Sequence, residues 1–210
     1  MMATLLHLDA SPRPGSYSRV LSGAFVDGFL AVDPEARVIR RDLVLSPPPF
    51  VDEAWVQNAF LPPADRAPGS LAVSDELTDE FLSADVVAIG MPMYNWGVPA
   101  VVKAWIDQIV RSGRTFALGP EGFAGLASGR TVVGLVARNG GFLPGEPYER
   151  ANFQDPYLAG VMSFMGITDT RIVALQDVYG PELDGRLAAK SEEARALATL
   201  IARERSLVPA

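Results

Sequence analysis

Three short, almost unbroken apolar runs, Thr4–Leu8, Val86–Met91 and Thr131–Ala137, constrain this chain more than any other feature. A strand with one wet face alternates apolar and polar residues. A strand that is apolar throughout needs cover on both faces, as in a parallel sheet sandwiched between helices. Arg37–Arg41 and Arg171–Leu175 read as two further strands. The segments between carry helical spacing. Ser18–Leu30 places Leu21, Phe25 and Phe29 at steps of four, and Leu71–Ser83 groups Leu77, Phe81 and Leu82. Pro99–Arg111 aligns Val102, Trp105, Ile106, Ile109 and Val110, Pro156–Met165 is short and apolar, and Asp184–Arg203 aligns Leu187, Ala194, Leu197, Ala198 and Ile201. This alternation predicts an α/β, doubly wound, five-stranded parallel sheet with helices on both faces and strand order 2-1-3-4-5. Residues 1–210 read as a single domain. In such sheets ligands bind beyond the carboxyl ends of the strands, beside the reversal in strand order, so the loops after strands 1, 3 and 4 are the places to search.

Composition narrows the chemistry. With 18 basic and 25 acidic residues the net charge is −7, which argues against a nucleic-acid or anionic-membrane binder. There is no cysteine, so disulfides, thiolate metal sites and cysteine nucleophiles are excluded. His7 is the only histidine; its place inside an apolar strand favours a structural role over a catalytic one. The N-terminus has no basic leader, its apolar run breaks at Asp9, and no run approaches a membrane span, so a cytoplasmic protein is expected. One segment exceeds a minimal domain. Val44–Ser70 is a long Pro-rich loop carrying Phe50, Trp55 and Phe60. Those aromatics serve either a partner subunit or active-site wall, or simple docking on their own domain.

The loop after strand 1, Asp9–Ser18, opens directly into a helix. Ser11, Ser16 and Ser18 supply hydroxyls, Gly15 permits close approach, and the helix N-terminus adds unpaired N–H groups. This reads either as a phosphate cradle or as an ordinary helix cap. It has neither GxxxxGK[ST] nor GxGxxG, which disfavours a Walker-type nucleotidase and a dinucleotide turn. After strand 3, Met93-Tyr94-Asn95-Trp96 can wall a planar heterocycle. After strand 4, Arg138-Asn139-Gly140-Gly141 offers backbone donors, although taken alone it reads better as a plain turn. The three loops share one sheet edge.

Together these residues resemble the FMN-dependent NADH azoreductase and quinone reductase family of flavodoxin-like proteins. Pro92-Met93-Tyr94-Asn95-Trp96 matches its P-M-Y-N-F/W segment, Ser16-Tyr17-Ser18 its phosphate loop, and Arg138–Gly141 its S-R-G-G segment. Gly119-Pro120-Glu121-Gly122 resembles its GPEG turn, and Pro156-Tyr157-Leu158 through Ile167 its PYL…GFxGI stretch. The resemblance implies FMN as cofactor and NADH or NADPH as donor. Ser11, Ser16, Tyr17 and Ser18 would hold the phosphate. Met93, Tyr94, Asn95 and Trp96 would border the ring and ribityl chain, and Arg138, Asn139, Gly140 and Gly141 would meet the polar edge of the ring. Phe164 and Leu118 would wall the substrate pocket. The family's Ser-Arg before Gly-Gly is Arg138-Asn139 here, and Leu118 stands where the family commonly has tyrosine; both differences fall on the substrate side. The family implies a homodimer with the site at the interface, and ping-pong, two-electron reduction of quinones and azo compounds. A flavodoxin-like electron carrier is the alternative, and would not oxidise NAD(P)H. A non-enzymatic sensor on the same fold would bind no flavin, or bind it without turnover.

Overall fold

The computed structural model describes residues 2–206. Its main sheet contains β1 (Thr4–Asp9), β2 (Arg37–Asp42), β3 (Val86–Pro92), β6 (Thr131–Ala137) and β7 (Asp169–Leu175). All neighbours are parallel, in the order β2-β1-β3-β6-β7. This is the expected 2-1-3-4-5 arrangement once the two strands of a separate hairpin, β4 (Phe116–Gly119) and β5 (Gly122–Gly125), are set aside.

The unbroken apolar runs resolve into two faces. In β3, Val87, Ile89 and Met91 face one core, while Val86 and Ala88 face the other. In β6, Val132 and Val136 oppose Val133 and Leu135. The helices α3 (Ala72–Ser83), α4 (Ala100–Ile109) and α5 (Gln154–Phe164) cover the first face, and α1 (Tyr17–Val32) and α6 (Leu183–Ser206) the second. Period-two alternation thus delivers the large apolar side chains of β3 and β6 to one apolar layer or the other, and each buried Val, Leu or Ile contributes about 1.5–3 kcal/mol.

Three differences from the sequence expectation have local causes. Val44–Ser70 is not a plain loop. It contains α2 (Glu53–Asn58), capped by Asp52, whose side chain accepts the Trp55 amide at 2.8 Å, and a 3₁₀ turn at Pro63–Asp65. The helix expected to reach Arg111 stops at Ile109. There the Thr115 hydroxyl donates to the Ile109 carbonyl and accepts the Arg111 amide, both at 2.8 Å, which ends the helical ladder. The turn at Gly119–Gly122 joins a β4–β5 hairpin that the apolar periodicity does not show; Phe116 and Phe123 pack on Phe164 at centroid distances of 4.9 and 5.4 Å.

His7 is buried in β1 with Nδ1 3.0 Å from Arg40 Nη1. A guanidinium only donates, so Nδ1 accepts, and the ring serves the sheet edge.

Candidate functional site

The strand order reverses between β1 and β3, and the loops after β1, β3, β6 and β7 converge beside that point. They open on a cleft of about 250 Å³ lined by Arg13, Ser16, Tyr17, Ser18, Pro92, Met93, Tyr94, Ala137, Arg138, Asn139, Val178 and Tyr179. A second hollow of about 230 Å³ is lined by Met93, Asn95, Trp96, Arg138, Asn139 and Phe142. The two share Met93, Arg138 and Asn139.

The first loop is built around the start of α1. Ser16 is the helix cap: its Oγ accepts the Arg19 amide at 3.4 Å and lies 3.2 Å from Ser18 Oγ. Both serines are buried yet line the cleft. Capping and ligand binding are therefore compatible roles here: the hydroxyls and the N-terminal end of a sixteen-residue helix face one hollow. Ser11 does not line the cleft. Its Oγ accepts the Arg13 amide at 3.4 Å, which shapes the loop one step behind the serine pair.

The second loop is a tight turn in which Tyr94 and Gly97 exchange backbone hydrogen bonds of 3.2 and 3.1 Å. Asn95 (φ 46°) and Trp96 (φ 69°) both occupy the left-handed region. The turn is anchored on two sides: the Met93 amide donates to the Ala137 carbonyl at 3.0 Å, and Gln154 Nε2 to the Pro92 carbonyl at 2.9 Å. Tyr94 and Trp96 remain about half exposed.

The third loop centres on Arg138, whose side chain is fully buried. Its Nη1 lies 2.9 Å from each oxygen of Asp155, and its Cζ sits 5.3 Å from the centroid of the Phe142 ring. Asn152 Nδ2 donates to the same carboxylate at 2.8 Å. Arg138 Nε and Nη2 have no partner among the described residues. Nor do the backbone amides of Asn139, Gly140 and Gly141. Gly140 has φ +117°, and a Cβ there would lie 2.9 Å from the Tyr148 ring, so both backbone and space require glycine. Glu146 serves this loop rather than facing outward. It accepts the Leu143 amide (2.6 Å) and Gln176 Nε2 (2.8 Å), and these bonds hold its carboxyl below the ordinary value.

Phe164 and Leu118 do not line the cleft. Phe164 belongs to the hairpin cluster, and Leu118 lies exposed on β4. Phe50 and Phe60 are also largely exposed, so docking on their own domain does not account for them, and neither lines the cleft. Arg13, Val178 and Tyr179 are cleft residues that the sequence reading did not single out. Arg13 stands over the Tyr17 ring at 5.8 Å, and Val178 and Tyr179 come from the loop after β7, outside the three loops that the strand order marks.

The donor set suits FMN. Buried hydroxyls at a helix N-terminus match a phosphate. Asn139, which lines both hollows beside Met93, brings an amide to a ring bearing carbonyl and nitrogen acceptors, whereas Gly140 and Gly141 line neither hollow and the unpartnered Arg138 nitrogens are buried behind it. Among the described residues there is no cluster of groups able to hold a metal ion.

A profile for the flavodoxin-like fold matches residues 3–198. An FMN-dependent NADH:quinone oxidoreductase of Nostoc punctiforme is 42% identical over 205 residues, spanning 96% of this chain and 99% of the relative. That of Acidobacterium capsulatum is 45% identical over 189 residues, 87% of this chain and 92% of the relative. Among solved structures, an azoreductase from Bacillus anthracis superposes with a TM-score of 0.88 at 28% identity, over 95% of this chain and all of the other. The azoreductase AzrA gives 0.87 at 30% identity, over 94% of this chain and all of the other. With the profile and these relatives spanning nearly all of it, this chain belongs to the flavodoxin-like family of FMN-dependent NADH:quinone oxidoreductases.

Proposed function

We propose that this chain is an FMN-dependent oxidoreductase that takes electron pairs from NADH and passes them to quinones and azo compounds, donor and acceptor using one site in turn. The observation that carries this reading is a cleft at the strand-order reversal that brings a buried serine pair at a helix N-terminus together with Met93, Tyr94 and Asn139. The names of the curated relatives supply NADH and quinone; those of the solved structures supply the azo substrate.

FMN, when bound, supplies the hydride chemistry, so a protein without cysteine and with one buried histidine lacks nothing it needs. The chain binds and orients. Ser16, Tyr17 and Ser18 hold the phosphate at the start of α1, with Ser11 shaping the loop behind them. Met93, Tyr94, Asn95 and Trp96 form the wall. Arg138, fixed by Asp155, and the amides of Asn139, Gly140 and Gly141 form a fixed donor edge where negative charge is accommodated.

We read residues 1–210 as one FMN-binding domain that acts as a cytoplasmic homodimer with the site at the interface. Four large aromatic side chains left open to solvent, Phe50, Phe60, Phe123 and Phe153, support that interface. Phe164 and Leu118 would then reach the substrate from the interface. Light scattering after size exclusion tests the dimer. No helix among the described residues is long and apolar enough to cross a membrane.

The test of the activity is the visible spectrum of the FMN-loaded protein under anaerobic conditions. Flavin bands should bleach with NADH and return on adding a quinone. Bound flavin that neither NADH nor NADPH bleaches would point to an electron carrier. Absence of flavin binding would overturn the reading.

A further inference from the structure

Arg19 grips both ends of the loop that precedes α1. Its backbone amide caps the near end by donating to Ser16 Oγ (3.4 Å). Its side chain reaches the far end, where Nε and Nη2 donate to the Ser11 carbonyl at 3.1 and 2.7 Å. The same guanidinium is held by two carboxylates on neighbouring strands: Nη2 donates to Asp42 Oδ2 on β2 at 2.7 Å, and Nη1 lies 3.3 Å from Asp9 Oδ2 on β1. Asp9 is fixed in turn by Ser22 Oγ at 2.8 Å. That bond requires Gly90 on β3, where a Cβ would lie 2.6 Å from Asp9 Oδ1 and 2.7 Å from Ser22 Oγ. Asp42 is locked from its other oxygen, Oδ1 accepting the amides of Val44 and Leu45 at 2.9 and 3.2 Å. Two strands thus hold one guanidinium, β3 and α1 fix Asp9 behind it, and among the described residues its only loop contact is the carbonyl of Ser11.

We propose that Arg19 is a positioning residue that sets the Ser11–Ser18 loop for a phosphate monoester, acting through the Ser11 carbonyl rather than by touching the phosphate. Tying that carbonyl to the sheet turns it away from the cleft, where an oxygen would repel an anion. It also fixes the spacing between the start of the loop and the Ser16–Ser18 pair. Asp9 and Asp42 neutralise the guanidinium, so its contribution is geometry and not long-range attraction. Fixing a binding loop before the ligand arrives lowers the ordering cost that binding must meet. This rests on the FMN reading above, and it adds that the brace acts on the phosphate end alone.

The test compares two flavins that differ only by that phosphate. Flavin-free protein is titrated with FMN and with riboflavin, following flavin fluorescence. Arg19→Met should weaken FMN binding by about 10- to 100-fold, the range for losing charge-assisted hydrogen bonds, and leave riboflavin within about twofold. Arg19→Lys should recover part of the FMN affinity. Asp42→Asn keeps an oxygen for the Val44 and Leu45 amides while weakening the hold on Arg19. It should weaken FMN too, and it carries the test if Arg19→Met does not fold. Equal losses for both flavins would overturn the proposal, because they indicate a merely structural residue. Tighter FMN binding by Asp42→Asn would overturn it as well, since a released guanidinium would then be attracting the phosphate directly. Variants that bind FMN like the parent sink the proposal alone. A parent protein that binds neither flavin sinks the FMN reading and the proposal with it.

Discussion

Asp155, at the start of α5, supplies both of its carboxylate oxygens to one nitrogen of Arg138, each at 2.9 Å, across the end of β6. The pair is asymmetric: the Arg138 side chain is fully buried, while that of Asp155 is 19% exposed. Asp155→Ala would leave a buried guanidinium with no ionic partner among the described residues. Breaking a fully buried pair costs about 3–5 kcal/mol, and partial exposure of the carboxylate reduces this to about 2 kcal/mol. The urea midpoint of the flavin-free protein should fall accordingly at unchanged slope. FMN affinity should fall as well, because Arg138 is then free to turn from the cleft. An unchanged midpoint would mean that the guanidinium finds water or another partner.

Trp96 holds φ 69° in a turn that glycine tolerates without penalty, and the side chain is 57% exposed. A bulky residue in that region costs about 1–2 kcal/mol, whereas a half-exposed indole gains little from packing. Trp96→Gly should therefore raise the melting temperature of the flavin-free protein while weakening flavin binding and turnover. The opposite movement of stability and activity is the signature to look for. A lower melting temperature would show that the indole packs more than its exposure implies.

Asp42 and Asp169 make stability fall in acid. For Asp42, burial opposes ionisation, but the Val44 amide, the Arg19 guanidinium and the Leu45 amide outweigh it and hold the carboxyl below its ordinary value. For Asp169, burial is likewise outweighed, by Arg171 and the Thr131 hydroxyl. The unfolded chain then takes up protons first as pH falls. The stabilisation is present above the ordinary carboxylate range, about pH 4, and is lost as pH drops through the lower folded-state values. Melting temperature followed from pH 7 to pH 3 should decline below that range. Asp42→Asn combined with Asp169→Asn should flatten the decline; a double variant with the parent's slope would rule these two groups out.

The sheet was legible because its information is local and repeated. An apolar run such as Val86–Met91 cannot be half-exposed, and the helical stripe containing Trp105 and Ile109 must face it. The cleft was legible where one loop carried several unusual residues together, as in Met93–Trp96. What escaped is what depends on contacts distant in sequence. Arg138 reads as a ligand-facing cation, and only the fold brings Asp155 to it. Tyr179 enters the cleft from the far side of β7, and nothing in its neighbours marks it. The β4–β5 hairpin is held by Phe164, some forty residues away. By contrast, α2 carried a readable signal, Asp52 three residues before Trp55, overshadowed by the prolines on either side.

Asn95 combines a backbone role with a side-chain role, and two substitutions separate them. At φ 46° it is one of the few residue types other than glycine that enter the left-handed region readily. Its amide also lines the hollow beside Arg138 and Asn139, where it can donate and accept. Asn95→Gly keeps the turn and removes only the amide. Asn95→Ala removes the amide and adds backbone strain of about 1 kcal/mol. Both should weaken FMN retention, measured as the flavin fraction that survives gel filtration. Only alanine should also lower the melting temperature of the flavin-free protein. If glycine retains flavin as the parent does while alanine loses it, the role of Asn95 is the turn itself, and the wall of the site is carried by Met93, Tyr94 and Trp96 alone.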